Sequence, residues 1–332
     1  NLEELERWAK IKGIKVLSCG DFTHPEWFKE LKEKLKLEEP GLYILENKKS
    51  GIKNNGTRFI FTVEVSCIWT KKDKVRKVHI LIFAPSLQIA QKINTQLAWW
   101  GNLKSDGRPI LALDAKELAK IVLNISEDCL IVPAHAWTPH FSIFGSRSGF
   151  DSIEECFEEY SKYIYAIETG LSSDPLMNWR LSALDKITLI SNSDSHSARK
   201  IGREANVFDT ELSYYAIVQA IKDKDPKKFL YTIEFFPEEG KYHYDGHRLC
   251  GVSLRPSDSK KSGNICPKCG KSLTIGVLNR VEELADRPEG FRPHNAIPFK
   301  SLVPLEEIIA EALGMLPGAK QVEKEYYNLV EK

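Results

Sequence analysis

The sequence lacks the features that would place it in a specialised class of protein. Its 332 residues include 47 Lys or Arg and 46 Asp or Glu, so the net charge is only +1 at neutral pH. A global positive field that would mark a nucleic-acid binder is therefore missing, and any DNA-binding surface has to be local. No apolar run approaches the roughly 18 residues of a membrane-spanning helix, and we expect no contact with a membrane. The hydrophobic content of 42% is that of an ordinary globular protein.

A disulfide framework is also missing. The cysteine count is seven, an odd number, with four scattered cysteines and three clustered late in the chain. This usage is typical of a reducing compartment, with a metal site in place of disulfides. Four of the cysteines stand in apolar contexts and predict buried thiols: Cys19, Cys67, Cys129 and Cys156.

The remaining cysteines form a late cluster with the spacing of a zinc ribbon. Two ligand pairs, each with an x2 spacing, are separated by fifteen residues. Ser253 occupies the position where a Cys-x2-Cys pattern would need its second cysteine, and a histidine on the other side completes the first pair. His243 is the alternative fourth ligand. The predicted zinc ligands are His247, Cys250, Cys266 and Cys269.

Helical and strand patterns alternate along residues 1–230. An apolar strand pattern such as "IKVLSCGD" is followed by a helical pattern such as "PEWFKELKEKLK", and the alternation repeats. This order predicts an α/β fold with a largely parallel sheet or barrel, in which functional groups collect at the carboxyl ends of the strands. From about residue 231 the predicted elements become short and the sequence becomes rich in turn residues. We therefore predict three domains, at 1–230, 231–280 and 281–332, the last with the helical pattern "PLEEIIAEAL".

Ionisable residues stand at the ends of successive predicted strands. One such residue is ordinarily a hydrogen-bonded core or turn group, but six of them along one chain predict a shared site. Four imidazoles and two carboxylates suit divalent metals such as zinc or manganese. Two or more metals suit phosphate-ester hydrolysis, since one activates water and another stabilises the leaving oxygen. The six residues are His24, Glu64, His79, His135, Asp194 and His196.

The stretch "ITLISNSDSH" carries two of these residues two positions apart. In extended backbone such residues project to the same side, so Asp194 and His196 are predicted to converge at a strand end. The alternative is a turn in which Asp and Ser cap a following helix. Asp21 and Glu168 belong to the same end. Asp21 is a candidate to orient His24, and Glu168 to do likewise or to touch substrate; a helix cap or a structural hydrogen bond is the alternative for both.

The motifs "GDFTH", "VEVS", "HILIF", "PAHAW" and "SDSH", in this order, resemble the polymerase-and-histidinol-phosphatase (PHP) superfamily of trinuclear metal phosphoesterases. The longer stretches "IVPAHAWTPHFSIFGSRSGFDSIEECF", "SNSDSHS" and "RVEELADRPEGF" resemble the endonuclease Q family over nearly the whole chain. The resemblance implies a PHP-like distorted (βα)7 barrel with a small zinc-ribbon domain and a C-terminal helical DNA-binding segment.

The resemblance also implies a ligand assignment. Glu64 would bridge two metals, with Asp194 on the first and His79 and His135 on the second. His24 and His196 would hold the third. The implied metals are two or three Zn²⁺, Mn²⁺ or Mg²⁺ ions, and the implied catalytic residues are Asp194, Glu64 and His196. The His-x-His strand that opens the family pattern is not in this sequence, and Asn1 falls where the family's first helix begins, so we expect a piece of a longer chain.

The activity implied by the resemblance is nicking of DNA on the 5′ side of deaminated bases (uracil, hypoxanthine and xanthine) and at abasic sites. Implied partners are damaged DNA and replication or repair proteins such as a sliding clamp, and the implied location is the cytoplasm of a prokaryote, at the nucleoid. Two alternatives stay open. One is a small-molecule phosphoesterase of the same superfamily, and the other is a catalytically inactive DNA-binding module.

Two basic segments are candidates for phosphate contacts. "FGSRSGF" follows the His135 strand, and "SARKIGRE" follows Asp194 and His196. A solvated loop is the alternative for both segments. Neighbouring aromatics either stack an extruded base or form a small core of their own; they are Trp137, Phe141, Phe144 and Phe150. The candidate DNA-binding residues are Ser146, Arg147, Arg199, Lys200 and Arg203.

Overall fold

The computed structural model describes residues 1–46, 56–105 and 107–330. Within these ranges the chain has a mixed α/β fold of fourteen strands and eleven α-helices. The strands are β1 (Val16–Asp21), β2 (Leu35–Glu39), β3 (Leu42–Leu45), β4 (Arg58–Lys71), β5 (Lys74–Ala84), β6 (Ile110–Leu111), β7 (Leu130–Pro133), β8 (Ala166–Glu168), β9 (Thr188–Ile190), β10 (Ala205–Phe208), β11 (Phe229–Glu234), β12 (Asp245–His247), β13 (Val252–Leu254) and β14 (Phe299–Ser301). The helices are α1 (Leu2–Ile11), α2 (Pro25–Lys34), α3 (Leu87–Leu97), α4 (Ala115–Ile125), α5 (Ile153–Phe157), α6 (Pro175–Asn178), α7 (Tyr214–Asp223), α8 (Pro256–Lys261), α9 (Val277–Leu284), α10 (Leu305–Ala312) and α11 (Lys320–Val330).

The main sheet has seven strands, and its pairings are mostly antiparallel. Its order is β2-β3-β4-β5-β7, and β1 and β6 also pair with β4, both in parallel. The β4–β5 hairpin is the longest pairing and turns at Lys72 and Asp73, whose φ angles are 48° and 60°. Two successive residues with positive φ match the right-handed twist of a tight hairpin, so the chain folds straight back. The prediction of a largely parallel sheet is therefore wrong for this sheet, although β8 and β9 do pair in parallel.

The predicted domain boundaries fall inside regular elements. Strand β11 begins at Phe229 and pairs antiparallel with β10 and parallel with β14. Helix α9 spans the second predicted boundary at residue 280 and buries Val277 and Val281 in the main core. The segment between β11 and α9 is thus joined at both ends to the body of the molecule, because strand pairing and core packing continue across the positions where the sequence texture changes.

Local sequence signals explain where several helices begin and end. Pro25 opens α2, since its fixed φ suits the first helical turn and its missing N–H is not needed there. Asp114 caps α4 by accepting a hydrogen bond from the backbone N–H of Glu117. Gly13, with φ +68°, follows α1, as its sequence position predicts. Two helices are short: α5 runs directly into a 3₁₀ turn at Glu158–Tyr163, and α6 is followed by a second 3₁₀ turn at Ser182–Leu184.

The core lies between the main sheet and the helices that cover it. The four thiols predicted to be buried are buried, and burial raises the pKa of Cys19 and of Cys129 to about 12. Trp137, Phe144 and Phe150 are also core residues, which removes them as stacking platforms for a base. Among the residues that the structure describes, no helix is long and apolar enough to cross a membrane.

Candidate metal centre

Three predicted ligands converge on the face of the β4–β5 hairpin. Glu64 on β4 pairs with Leu81, so His79 on β5 is its diagonal neighbour on the same face. His135 follows β7, which pairs with β5. Glu64 Oε1 lies 3.0 Å from His79 Nδ1 and 3.2 Å from His135 Nε2, and the two ring nitrogens are 3.1 Å apart. One carboxylate and two imidazoles with ligand atoms within 4.8 Å of one another form a donor set suited to zinc or manganese.

The charges at this centre are coupled. Burial opposes ionisation of Glu64, but hydrogen bonds from His135 and His79 outweigh it and hold the Glu64 pKa well below its usual value. Burial lowers the pKa of His79, which favours the neutral ring that a metal requires. The pKa of His135 is raised: burial lowers it, but the hydrogen bond to Glu64 and the Glu64 charge act more strongly together.

Glu168 and Gly170 fix the backbone at His135. Glu168 Oε2 accepts a hydrogen bond of 2.7 Å from the His135 backbone N–H, and Oε1 accepts one of 2.9 Å from Asn192 Nδ2. Burial raises the pKa of Glu168 to about 7. His135 itself has φ +29°, and a Cβ on Gly170 would lie 2.7 Å from His135 Cβ. Glu168 therefore supports the backbone of the His135 loop through a structural hydrogen bond, which is one of the roles that the sequence left open for it.

Asp194 and His196 meet by a turn and not by strand alternation. Strand β9 ends at Ile190, and Asp194 has φ +43°, a left-handed conformation. His196 Nε2 nevertheless lies 3.7 Å from Asp194 Oδ1. Arg203 fixes this loop by donating hydrogen bonds to the carbonyl oxygens of Ser193 at 2.7 Å and Asp194 at 3.2 Å. The predicted convergence is thus present, but the extended geometry invoked for it is wrong, and Arg203 is occupied as a loop support.

The remaining two predicted residues lie beside a shared cavity. Asp21, His24 and His196 all line it. Asp21 accepts a hydrogen bond of 3.4 Å from the Glu64 backbone N–H, and burial raises the pKa of its carboxyl group. His24 is the N-cap residue of α2 but makes no side-chain capping bond, so its ring is not occupied by the helix end. Asp21 thus links this cavity to Glu64, whereas Glu64, His79 and His135 are the three of the six predicted ligands whose ligand atoms all lie within 4.8 Å of one another.

Arg108 is a central residue that the sequence reasoning missed. Its Nε lies 2.6 Å from Glu64 Oε1 and its Nη2 lies 2.8 Å from Asp194 Oδ1. Burial opposes the charge of Arg108, but the Glu64 carboxylate outweighs it, and the pKa is raised. The only sequence signal was a basic residue between Gly107 and Pro109, a stiff turn that directly precedes an apolar stretch.

The two basic segments serve different purposes. Ser146 Oγ donates to Ile275 O at 2.8 Å and Arg147 Nη2 to Leu273 O at 3.2 Å, so the "FGSRSGF" loop fastens the cysteine-rich segment to the body. Arg199 pairs with Glu306 at 2.8 Å and Glu323 at 3.2 Å on the C-terminal helices. These carboxylates pair with its guanidinium, so we expect Arg199 to hold the C-terminal helices rather than DNA. Lys200 is exposed.

The late cluster also converges. His247, Cys250, Cys266 and Cys269 bring their ligand atoms within 4.8 Å of one another, and Cys269 Sγ lies 3.5 Å from His247 Nδ1. His243 is buried elsewhere, with Nδ1 3.1 Å from the Ser172 carbonyl oxygen, and it is not the fourth member. Three sulfurs and one imidazole nitrogen form a donor set suited to a closed, four-coordinate metal site.

Known proteins resemble this chain in sequence and in fold. The protein YqxK of Bacillus subtilis is 30% identical over 288 residues, which span 85% of this chain and 69% of that protein. The protein MJ0043 of Methanocaldococcus jannaschii is 33% identical over 210 residues, but these span 60% of this chain and only 25% of that protein. A scan against protein-family models gave no match.

Two solved structures share the fold over 99% of this chain at 31% identity. One is the lesion-specific endonuclease PfuEndoQ of Pyrococcus furiosus, with a TM-score of 0.83 and 77% of that chain covered. The other is an endonuclease Q in complex with a 27-mer duplex substrate that carries an abasic lesion at the active site, with a TM-score of 0.85 and 78% covered. These neighbours define the class of the present protein, which is an enzyme of the endonuclease type. The chain belongs to the endonuclease Q family.

Proposed function

We propose that this protein is a DNA repair endonuclease that nicks the phosphodiester on the 5′ side of deaminated bases (uracil, hypoxanthine and xanthine) and at abasic sites. The observation that carries the proposal is the convergence of Glu64, His79 and His135 at one end of a fold that matches an endonuclease Q bound to an abasic duplex. The substrate would be chromosomal DNA, so the activity belongs at the nucleoid in the cytoplasm.

Glu64, His79 and His135 would hold one divalent cation, and Asp194, His24 and His196 would complete two neighbouring positions. Bound there, Zn²⁺ or Mn²⁺ supplies Lewis-acid stabilisation of phosphate oxygens and lowers the pKa of water. Glu168 keeps His135 in place through its backbone N–H, and Arg203 holds the Asp194 loop. Lys200 is exposed just beyond this loop, where it can contact DNA phosphates.

The body of the molecule is proposed to be a PHP-like barrel, with the segment between β11 and α9 as a zinc-ribbon unit. The four convergent donors on the ribbon support structural zinc. Ser146 and Arg147 bond to the backbone of this unit, so we propose that they orient it toward DNA as well as contacting DNA from their exposed side. The helices α10 and α11 would form a further DNA-binding part, and a sliding clamp is a proposed partner.

A small-molecule phosphoesterase is the rival with the same chemistry. The cysteine-rich unit attached beside the metal centre favours a macromolecular substrate instead, since a small ester needs no such surface. A catalytically inactive DNA-binding module is the second rival. The clustering of Glu64 with two histidines disfavours it, because a binding module has no need to hold such a costly polar set largely away from water.

Asp194→Asn tests the proposed function. The substitution keeps the side-chain shape but removes the negative charge that would stabilise a cation, so we expect nicking to be lost while folding and DNA binding persist. The assay is single-turnover cleavage of duplexes carrying uracil, hypoxanthine, an abasic site or no lesion, beside a binding titration and a melting curve. Asp223→Asn, an exposed change on α7, is the matched control. Near-normal nicking by Asp194→Asn, or equal nicking of lesion-free DNA, would overturn the proposal.

A further inference from the structure

Arg108 bridges two carboxylates of the proposed metal centre, Glu64 and Asp194. Its Nε is 2.6 Å from Glu64 Oε1 and its Nη2 is 2.8 Å from Asp194 Oδ1. The same Glu64 oxygen faces His79 Nδ1 at 3.0 Å and His135 Nε2 at 3.2 Å. The guanidinium therefore lies against the point on which the proposed ligand atoms converge.

The backbone at Arg108 is fixed on both sides. Gly107 turns the chain with φ +80°, and the Pro109 carbonyl accepts a hydrogen bond of 2.9 Å from the Ser66 backbone N–H. Ile110 then pairs with Ser66 on β4, two residues beyond Glu64. The strand ladder thus delivers the Arg108 side chain to the carboxylates, and the side chain itself is 25% exposed.

A guanidinium and a divalent cation use the same acceptors. Both bind carboxylate oxygens, and Glu64 Oε1 and Asp194 Oδ1 are the atoms that Arg108 contacts. A cation that takes these oxygens weakens the Arg108 contacts, because two positive charges held at the same carboxylates repel each other. The planar fork of a displaced guanidinium matches the geometry of a phosphate.

We propose that Arg108 competes with the divalent cation for Glu64 and Asp194 and, when displaced, contacts the DNA phosphate beside the metal centre. The proposal rests on the proposed function, since it assumes a DNA phosphodiester at this site. A phosphate neutralised by both a cation and a guanidinium is better stabilised as negative charge develops on it. Arg108 would then couple metal loading to DNA binding.

The test compares wild-type protein with Arg108→Ala, Arg108→Lys and Lys92→Ala, a control that removes an exposed charge from α3. Mn²⁺ binding to the metal-stripped full chain is measured by calorimetry. Binding of an abasic duplex with an uncleavable linkage is then titrated against salt, with Mn²⁺ and with EDTA. For Arg108→Ala we expect Mn²⁺ to bind about tenfold more tightly, because a competing charged contact is gone. DNA affinity with Mn²⁺ should fall about tenfold, and the salt slope should fall by about one.

Arg108→Lys keeps the charge without the fork, so it should retain most of the competition with Mn²⁺ but lose part of the DNA affinity. It also preserves the test if the alanine variant fails to fold, which a melting curve detects. Equal Mn²⁺ affinity in the wild type and both variants would refute the competition, and an unchanged salt slope would refute the phosphate contact. Cleavage by the wild type separates the two proposals. If the wild type nicks no lesion, the proposed function is overturned even where the Mn²⁺ result holds. If the wild type nicks normally but the Arg108 variants change neither Mn²⁺ affinity nor DNA binding, this inference alone is overturned.

Discussion

Replacing Gly170 by alanine should displace His135, a proposed metal ligand, without changing the chemistry of its side chain. Gly170 has φ +68°, and a Cβ at this position would lie 2.7 Å from His135 Cβ and 2.9 Å from His135 Cα. Carbon atoms in contact normally stay about 3.5–4.0 Å apart, so one of the two backbone segments has to move by about 1 Å. His135 cannot yield freely, because Glu168 holds its backbone N–H.

The magnitude follows from two separable contributions. The left-handed backbone costs an alanine about 1–2 kcal/mol relative to glycine. Overpacking against a fixed neighbour adds about 1–3 kcal/mol. Gly13→Ala is the matched control, since Gly13 also has φ +68° but a Cβ there would meet nothing within 4 Å. The free energy of unfolding should therefore fall by about 1–2 kcal/mol in Gly13→Ala and by about 2–5 kcal/mol in Gly170→Ala.

The functional consequence separates the two variants further. A shift of about 1 Å in a catalytic constellation costs on the order of 100-fold in rate, so Gly170→Ala should lose nicking and Mn²⁺ affinity together, whereas Gly13→Ala should keep both. The assays are denaturant unfolding, a Mn²⁺ titration and single-turnover cleavage of an abasic duplex. Equal stability and equal Mn²⁺ affinity in the two variants would refute the reasoning that Gly170 exists to admit His135.

Cys266→Ser should release one equivalent of tightly bound zinc and loosen residues 240–280 while the rest of the protein stays folded, as measured by metal analysis and hydrogen exchange. The control Cys129→Ser should release no zinc, and equal zinc content in the two variants would contradict the proposed zinc ribbon. Burial raises the pKa of Glu234 to about 7, so its stabilising contribution is full below about pH 4.5 and lost as the pH rises through 7. Glu234→Gln should therefore gain up to about 3 kcal/mol relative to the wild type between pH 4.5 and 8, and a pH-independent difference in unfolding would contradict the buried carboxyl. Arg199→Ala should lower the free energy of unfolding by about 1–2 kcal/mol without changing the salt slope of DNA binding, and a reduced slope would return Arg199 to the DNA interface.

The local elements were largely readable from the sequence, because their causes are local. Apolar runs with β-branched residues form β4 and β5, and Pro25 and Gly13 mark a helix start and a helix end. The direction in which the strands of the sheet pair could not be predicted in the same way. A tight turn with positive φ at Lys72 and Asp73 makes the long β4–β5 pairing antiparallel. The charged residues around this turn carry no Gly or Asn that would have marked it in the sequence.

The sequence by itself determined which residue types are available to the site: His24, Glu64, His79, His135, Asp194 and His196 were all identified from polar residues beside apolar strands. Only the tertiary structure decided how they are used, since contacts between residues far apart in the chain depend on strand pairing and not on spacing. The diagonal of the β4–β5 ladder brings Glu64 to His79, and the pairing of β6 with β4 brings Arg108 between Glu64 and Asp194. Arg199 is a second example, because its two carboxylate partners lie on helices α10 and α11, more than 100 residues downstream.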